Sequence, residues 1–307
     1  MLNAFFLVGP TAVGKTAVAH ELARRTQATL LSADSMLVYR GMDIGTAKAT
    51  RAECEGLTYW GLDLVTPDQP FSVGDYLRAV QQQRGSSAGR VIVVGGTGLY
   101  VDALVRGLRS QPAADPVERA RLEELHIVGG LAALQKELEQ RAPGRLAELA
   151  DPRNPRRVIR AIELAGQGIL SRAMLERETP RPRLIGLNME ATALSNRIEE
   201  RVRKMYAQGL LEEAASLRAA YPEISETARQ AIGYAEAWAV LDGTMTRADA
   251  VSLTAQRTRQ LAKRQQTWFR HQAEMTWVEA NPGASVADTA SLVEAQWEAH
   301  GTTPLQF

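Results

Sequence analysis

The sequence predicts an α/β fold, a central parallel sheet carrying an α-helical insertion. Three observations predict it. Residues 9–16 read Gly-Pro-Thr-Ala-Val-Gly-Lys-Thr, with an apolar run before them and an amphipathic run after. Apolar runs alternate with helical patterns over the first 110 residues, as a parallel sheet requires. A long series of helix signals then separates the fourth apolar run from the fifth.

The first strand is expected over Ala4–Val8, and the helix beyond the glycine-rich octet buries Ala17, Ala19, Leu22 and Ala23. Strand, glycine loop and helix in that order make a P-loop, so the core is expected to be P-loop NTPase-like. Its glycines let backbone N–H groups converge on an anion, and the helix adds its positive end. Gly9, Pro10, Thr11, Ala12, Val13, Gly14, Lys15 and Thr16 are therefore the expected cradle for a di- or triphosphate group. Lys15 would sit on the terminal phosphates, and the Thr16 hydroxyl would ligate Mg²⁺.

Further strands are expected over Thr29–Ala33, Leu62–Val65, Arg90–Val94 and Leu184–Met189. Ser72 followed by Asp75 caps a helix running to Arg84. The interlude opens with Asp115 as N-cap, Pro116 at the first helical position and Glu118 at the third. Helices follow over Leu131–Arg141, Arg145–Leu149 and Pro155–Ala165, separated by Gly129-Gly130, Pro143-Gly144 and Asp151-Pro152. Residues 112–180 thus form the expected insertion, with 1–111 and 181–307 as the core. The remainder reads as mostly helical, including a segment from Thr246, capped with Asp249, to about His271.

No run of 18 apolar residues exists, and no basic-then-apolar leader precedes the first strand. The single cysteine, Cys54, excludes an internal disulfide framework and a cysteine-based zinc site. A soluble cytoplasmic monomer without a membrane partner is expected. Net charge is only +1, but its distribution is uneven. Ten arginines face five carboxylates between Arg141 and Arg183, and residues 250–273 hold five Lys/Arg and no acid. Guanidinium forks suit phosphate, so an anionic macromolecule is the expected partner.

The second strand delivers Asp34 and Ser35 at its carboxyl end, the edge where parallel sheets bind ligands. A carboxylate there can hold Mg²⁺ through water, take a proton from a nucleophile, or merely cap the next turn. The fourth strand should carry the Mg²⁺-holding Asp of a motor or switch NTPase. It ends instead in Gly95-Gly96-Thr97-Gly98-Leu99-Tyr100. The Thr97 hydroxyl could donate to a phosphate oxygen, or the segment could be a plain glycine turn. Arg156, Arg157 and Arg160 fall on one short helix, suited to a phosphate backbone or to plain solvation. Trp268 and Phe269 read as core aromatics with basic flanks in preference to a stacking platform.

Together these blocks resemble the bacterial tRNA dimethylallyltransferases (tRNA isopentenyltransferases). The matching pieces are residues 9–16, Ser32 to Lys48, Gly95 to Tyr100, Asp151-Pro with Arg156 to Glu163, Arg229-Gln-Ala-Ile-Gly-Tyr234, and Ala262 to Arg270. They run in family order over about residues 5–270, and nothing beyond 280 matches a known pattern. The resemblance implies transfer of a dimethylallyl group from dimethylallyl diphosphate to the exocyclic amine of an adenosine beside the tRNA anticodon. By the same resemblance the P-loop and Mg²⁺ hold the diphosphate, and Asp34 is the general base. Thr97 and Arg229 would bind the departing pyrophosphate. Asp34, Ser35, Met36, Leu37, Thr97, Arg119, Arg156, Arg157 and Arg160 would contact the anticodon stem-loop.

The chain departs from the family pattern at Tyr59-Trp60-Gly61, where histidines are expected, and it lacks the zinc-finger extension of eukaryotic relatives. Two other enzymes share the P-loop and strand-end acid: an adenine-nucleotide isopentenyltransferase and a small-molecule kinase. The arginine-rich insertion weighs against both, since a free nucleotide needs no such footprint. A P-loop RNA-binding regulator gives no reason for Asp34 and Thr97 to face the loop.

Overall fold

The computed structural model describes residues 2–85, 89–107, 115–171 and 181–307. Two compact units divide the chain, one taking in 1–107 with 181–307 and the other 108–180. The boundary expected at 111/112 lies outside the described residues.

The larger unit begins with β1 (Asn3–Val8), the P-loop and α1 (Lys15–Thr26), followed by β2 (Thr29–Ala33). Leu7 and Val8 of β1 and Leu30 and Leu31 of β2 are fully buried, as a sheet covered on both faces demands. The third strand is β3 (Tyr59–Trp60), displaced from the Leu62–Val65 run. Gly61 (φ 83°) and Asp63 (φ 51°) both leave the extended region, so the apolar run cannot lie flat. Val65 keeps one isolated bridge, to Tyr39. Then come α2 (Val73–Arg84), β4 (Val91–Gly95) and α3 (Gly98–Arg106). Ser72 and Asp75 form the expected capping box on α2.

The smaller unit has its own core. Its α4 (Pro116–Arg141) is capped by Asp115, whose side chain accepts from Val117 N, and is broken at Gly130, where φ is 66°. The expected helix at 145–149 is a four-residue 3₁₀ turn, Arg145–Glu148, too short to bury an apolar stripe. It leads to α5 (Pro155–Gly166), whose N-cap Asn154 accepts from Arg156 N. Leu122, Leu134 and Leu138 of α4 pack against Val158, Ile159 and Ile162 of α5.

The chain returns through β5 (Arg183–Asn188), α6 (Ala191–Ala207), α7 (Leu210–Ala220) and α8 (Tyr234–Leu241). The long α9 (Arg247–Gln272) starts at the expected Thr246 cap. It is followed by β6 (Glu274–Glu279), α10 (Val286–His300) and β7 (Thr303–Pro304). Sequence reasoning did not single out these last three. The α10 residue Trp297 stacks on Phe5 at 5.0 Å and donates its indole N–H to the Phe6 carbonyl at 3.0 Å.

The sheet runs β3-β2-β4-β1-β5-β6 with all these strands parallel, and β7 pairs antiparallel with the start of β1. Because β4 lies between β1 and β2, the chain order reverses there, which is where α/β sheets bind ligands. The register aligns Val8 and Ala33 with Gly95. Gly9, Asp34 and Gly96 therefore leave the sheet side by side at one edge.

Candidate active site

The P-loop is held by neighbours on three sides. Gly9 has φ 139°, and a Cβ there would lie 2.4 Å from the Leu187 carbonyl, so only glycine fits. Ala12 takes a left-handed conformation, φ 66°, which costs a non-glycine residue about 1 kcal/mol. Three hydrogen bonds secure it: Thr11 N donates to Gln265 Oε1 (2.8 Å), Arg197 Nε to the Ala12 carbonyl (3.1 Å), and Lys15 Nζ to the Pro10 carbonyl (2.7 Å). Burial pushes the Lys15 ammonium down to about 7; Asp34 opposes that shift and Arg201 adds to it. Thr16 is exposed in the first turn of α1.

Asp34 is half-buried at the end of β2, and its Oδ1 accepts from Met36 N at 3.0 Å. It therefore caps the next turn while its charge reaches both Lys15 and Arg201. Across the edge, Thr97 Oγ1 accepts from Ser35 N (3.0 Å) and donates to Ser35 Oγ (3.3 Å), while Thr97 N bonds the Ala33 carbonyl (3.1 Å). The Asp34–Leu37 segment and the glycine turn are thus one hydrogen-bonded structure. Gly95 is required because a Cβ would meet the Ala33 carbonyl oxygen at 2.3 Å. Gly96 admits the Gln265 amide in the same way. Phe269 is fully buried, and half-buried Trp268 lies against Gly98, in keeping with aromatics used for packing.

The residues that follow Asp34 are fastened by a second carboxylate. Glu213 of α7 accepts from the backbone N–H of Asp43 (3.1 Å), Ile44 (2.8 Å) and Gly45 (3.1 Å), and from the Tyr234 hydroxyl (2.6 Å). The motif blocks ending at Lys48 and Tyr234 therefore meet, which their separation in sequence does not disclose. Arg229 itself is exposed on a 3₁₀ turn, Ala228–Gln230. The neighbouring Thr227 Oγ1 accepts from the Tyr39 hydroxyl at 2.7 Å.

Sequence reasoning passed over Gln265, Arg197, Arg201 and Glu213, all of which contact the P-loop or its partner segment. Gln265 lies inside a block already singled out and is buried on an otherwise basic helix, which the sequence pattern does not disclose. The two α6 arginines sit among carboxylates in Arg197-Ile-Glu-Glu-Arg201 and read as an ordinary solvated face.

In the smaller unit, Arg119 and Arg160 converge on the buried Glu163. Arg119 grips it with two bonds (2.5 and 2.9 Å) and Arg160 with one (3.0 Å), which holds the Glu163 carboxyl below its ordinary range despite burial. Arg156 and Arg157 are exposed on the first turn of α5.

Comparison with known proteins places this geometry in a family. The IPP transferase family model matches residues 37–272, and an isopentenyl transferase model matches 2–64. A tRNA dimethylallyltransferase of Halalkalibacterium halodurans is 41% identical over 281 residues, covering 88% of this chain and 89% of that one. That of Corynebacterium jeikeium is 38% identical, covering 94% and 96%. The crystal structure of a tRNA isopentenylpyrophosphate transferase from Bacillus halodurans superposes with a TM-score of 0.65 at 35% identity, over 98% of each chain. The match spans the P-loop, the Asp34 segment and the glycine turn that meet at one sheet edge, and the chain belongs to the IPP transferase family.

Proposed function

We propose that this protein transfers a dimethylallyl group from dimethylallyl diphosphate to the N6 amine of the adenosine 3′ to the anticodon in tRNA, releasing pyrophosphate. One observation carries the reading. The register puts Asp34 beside the P-loop, at the end of β2, while the strand between them ends in glycines and Thr97 where an NTPase keeps an acid. Such a site suits a diphosphate and offers a base, without the strand-end acid of a motor or switch NTPase.

The residues then divide the work. Gly9 through Thr16 hold the diphosphate, with Lys15 on its phosphates. In the transfer the allylic C–O bond breaks, the N6–C bond forms, and the N6 proton passes to the Asp34 carboxylate. The electron pair of the broken bond leaves with pyrophosphate, which Thr97 and Arg229 help to bind. The base must leave its stack to reach Asp34, and an anticodon loop makes that cheap. Ser35, Met36 and Leu37 flank the base. Arg156 and Arg157 serve the RNA backbone, and Arg119 and Arg160, both bound to Glu163, position the helix that carries those two.

Mg²⁺ fits the donor set. Among the described residues no three His, Cys, Asp or Glu side chains cluster to bind a metal; Mg²⁺ commonly binds through one or two protein oxygens together with substrate phosphates. The Thr16 hydroxyl and Asp34, through water, are the hard oxygen donors at this edge. When bound, the ion would neutralise charge on the diphosphate.

A cytoplasmic monomer suits a tRNA substrate; no described helix is long and apolar enough to cross a membrane. Free adenine nucleotides are the disfavoured acceptors, and so is kinase chemistry. The decisive experiment offers radiolabelled dimethylallyl diphosphate and Mg²⁺ to unmodified anticodon stem-loop RNA and, separately, to AMP. Label on RNA alone is expected; label on AMP would reassign the protein to nucleotide prenylation.

A further inference from the structure

The turn that carries Arg229 is pinned from the segment that begins at Asp34. Arg229 is exposed on Ala228–Gln230, and its guanidinium makes no hydrogen bond or ion pair among the described residues. Its place is therefore set by the backbone of the turn. That backbone closes on itself, Arg229 N donating to the Ser225 carbonyl (3.0 Å) and Gln230 N to the Thr227 carbonyl (3.2 Å). Partners outside the turn hold it on either side of Arg229. Before it, Ser225 N donates to the Pro67 carbonyl (2.8 Å), and the Tyr39 hydroxyl donates to Thr227 Oγ1 (2.7 Å). Beyond it, the Tyr234 hydroxyl donates to Glu213 (2.6 Å).

Tyr39 closes the run Asp34-Ser-Met-Leu-Val-Tyr39 and is 1% exposed. Its ring would pack as well as that of a phenylalanine; the hydroxyl adds no apolar contact and must be paired once buried. Here it is paired with a residue two positions from Arg229. The hydroxyl also projects from a fixed support. Lys48 Nζ donates to the Tyr39 carbonyl (2.7 Å) and to Asp43 and Asp63 (2.6 Å each), and Arg40 N bonds the Val65 carbonyl (2.9 Å). At the other end of the run, Ser35 is bound to Thr97. The stretch from Asp34 to Tyr39 is thus held at both ends. Its bond to Thr227 refers the Arg229 turn to the same frame as the Asp34 carboxylate.

We propose that Tyr39 is a positioning residue for the transfer, setting through Thr227 where Arg229 stands relative to Asp34. The inference rests on the reading of Asp34 as the base and Arg229 as a pyrophosphate ligand. The two act at opposite ends of one displacement. As the allylic C–O bond breaks, its electron pair goes to pyrophosphate beside Arg229, while N6 forms its new bond to carbon and gives its proton to Asp34. Donors stabilise developing charge most when they are fixed before it develops. A guanidinium on an unanchored turn would have to be ordered during the step, and a small misplacement of such a group is costly. Tyr39 is buried and works through Thr227, not on the substrates.

The test is a coupling cycle. Tyr39→Phe, Thr227→Val, Arg229→Ala and their pairs are compared for pyrophosphate affinity with Mg²⁺, single-turnover transfer, anticodon stem-loop affinity and thermal midpoint. Y39F should reduce transfer about 5- to 20-fold and weaken pyrophosphate binding about threefold, while stem-loop affinity stays within about twofold. T227V removes the acceptor of the same bond, so it should lose as much, and Y39F with T227V should lose no more than either alone. T227V carries the test if Y39F does not fold. Once Arg229 is alanine, Y39F should cost less than about twofold further, because the side chain it positions is gone. Transfer and pyrophosphate affinity of Y39F both within about twofold of the unsubstituted protein would overturn the proposal and leave the hydroxyl a buried packing detail. Equal losses from Y39F with and without Arg229, alongside a fall in thermal midpoint, would do the same. If R229A itself binds pyrophosphate and transfers normally, the reading of Arg229 falls and the proposal with it. If R229A is impaired and Y39F is not, only the proposal falls. If no RNA is prenylated yet Y39F and R229A weaken pyrophosphate binding non-additively, the reaction falls and the positioning role stands.

Discussion

Two groups of cations, one in each unit, are held in opposite ways. In the smaller unit, Arg119 and Arg160 are bound to Glu163, and Arg121 and Arg141 share Glu118 and Glu137. Arg119 ties α4 to α5, while Arg121 and Arg141 pair within α4, across its break at Gly130. In the larger unit, half-buried Lys15 and Arg201 meet neutral acceptors among the described residues. Paired cations build a fold; a P-loop lysine without a paired anion is placed to meet one. The contrast locates the chemistry more sharply than arginine density does, since arginine is densest in the smaller unit.

The largest effect should come from Asp34, the acid beside the P-loop. Asp34→Ala is expected to keep stem-loop affinity within a few-fold and to reduce single-turnover transfer by about 100-fold or more, the scale of a lost general base. Surviving turnover would reduce Asp34 to the turn cap that its bond to Met36 N already makes it. The complementary break is Glu163→Gln, which removes the charge joining Arg119 to Arg160. Both arginines are partly exposed and can resolvate, so the expected loss is about 2 kcal/mol, confined to the smaller unit. Amide exchange in α4 and α5 should accelerate while pyrophosphate affinity stays unchanged. Loss of pyrophosphate binding in that variant would dissolve the distinction between the units.

How much of this was legible in the sequence follows the same division. The P-loop, Asp34 and the glycine turn after β4 are contiguous motifs, because a strand end and the loop beyond it must supply their chemistry within a few residues. Capping signals fixed α2, α4 and α9 through local hydrogen bonds at Ser72, Asp115 and Thr246. What escaped is non-local. Gln265 reaches Thr11 across 254 positions and Arg201 reaches it across 190, and neither sits in a pattern that periodicity distinguishes from a surface face. β6 escaped because Glu274-Met-Thr-Trp-Val-Glu279 directly continues α9 with no glycine or proline between them. Leu62–Val65 misled because two left-handed residues sit beside or within an apolar run, and only one of them is glycine.

The state of Lys15 gives a graded test of the cationic site. Its ammonium titrates at about 7 in the unliganded protein, well below the 10.5 of an unconstrained lysine. The unfolded chain therefore binds more protons between these values, and unliganded stability should rise as pH increases from about 7 toward 10. Bound diphosphate keeps Lys15 protonated, so binding above pH 7 takes up a proton. Pyrophosphate Kd should then rise by up to about tenfold per pH unit between pH 7 and 9. Titration of pyrophosphate itself is common to both proteins, so comparison with Lys15→Arg isolates the side chain. The extra slope should vanish in that variant. Equal slopes in the two would show that Lys15 is already charged in the unliganded protein.

The smallest effect concerns the cations of the smaller unit that remain outermost. Arg156 and Arg157 stand exposed at the start of α5, and Arg119 and Arg160 bind Glu163. If backbone phosphates of the stem-loop meet this helix, Arg156→Ala with Arg157→Ala should weaken stem-loop binding severalfold. The plot of log K against log salt should flatten by about 1.4 to 1.8, according to whether the phosphates belong to single or double strand. Pyrophosphate affinity and the pH slope of Lys15 should not change. Adding Arg160→Ala should flatten the salt plot little further, because that guanidinium already has its counterion in Glu163 and releases few ions from the RNA. A third equal step would instead mean that Arg160 leaves Glu163 for the RNA, making the paired cations of this unit as available to ligand as those at the P-loop.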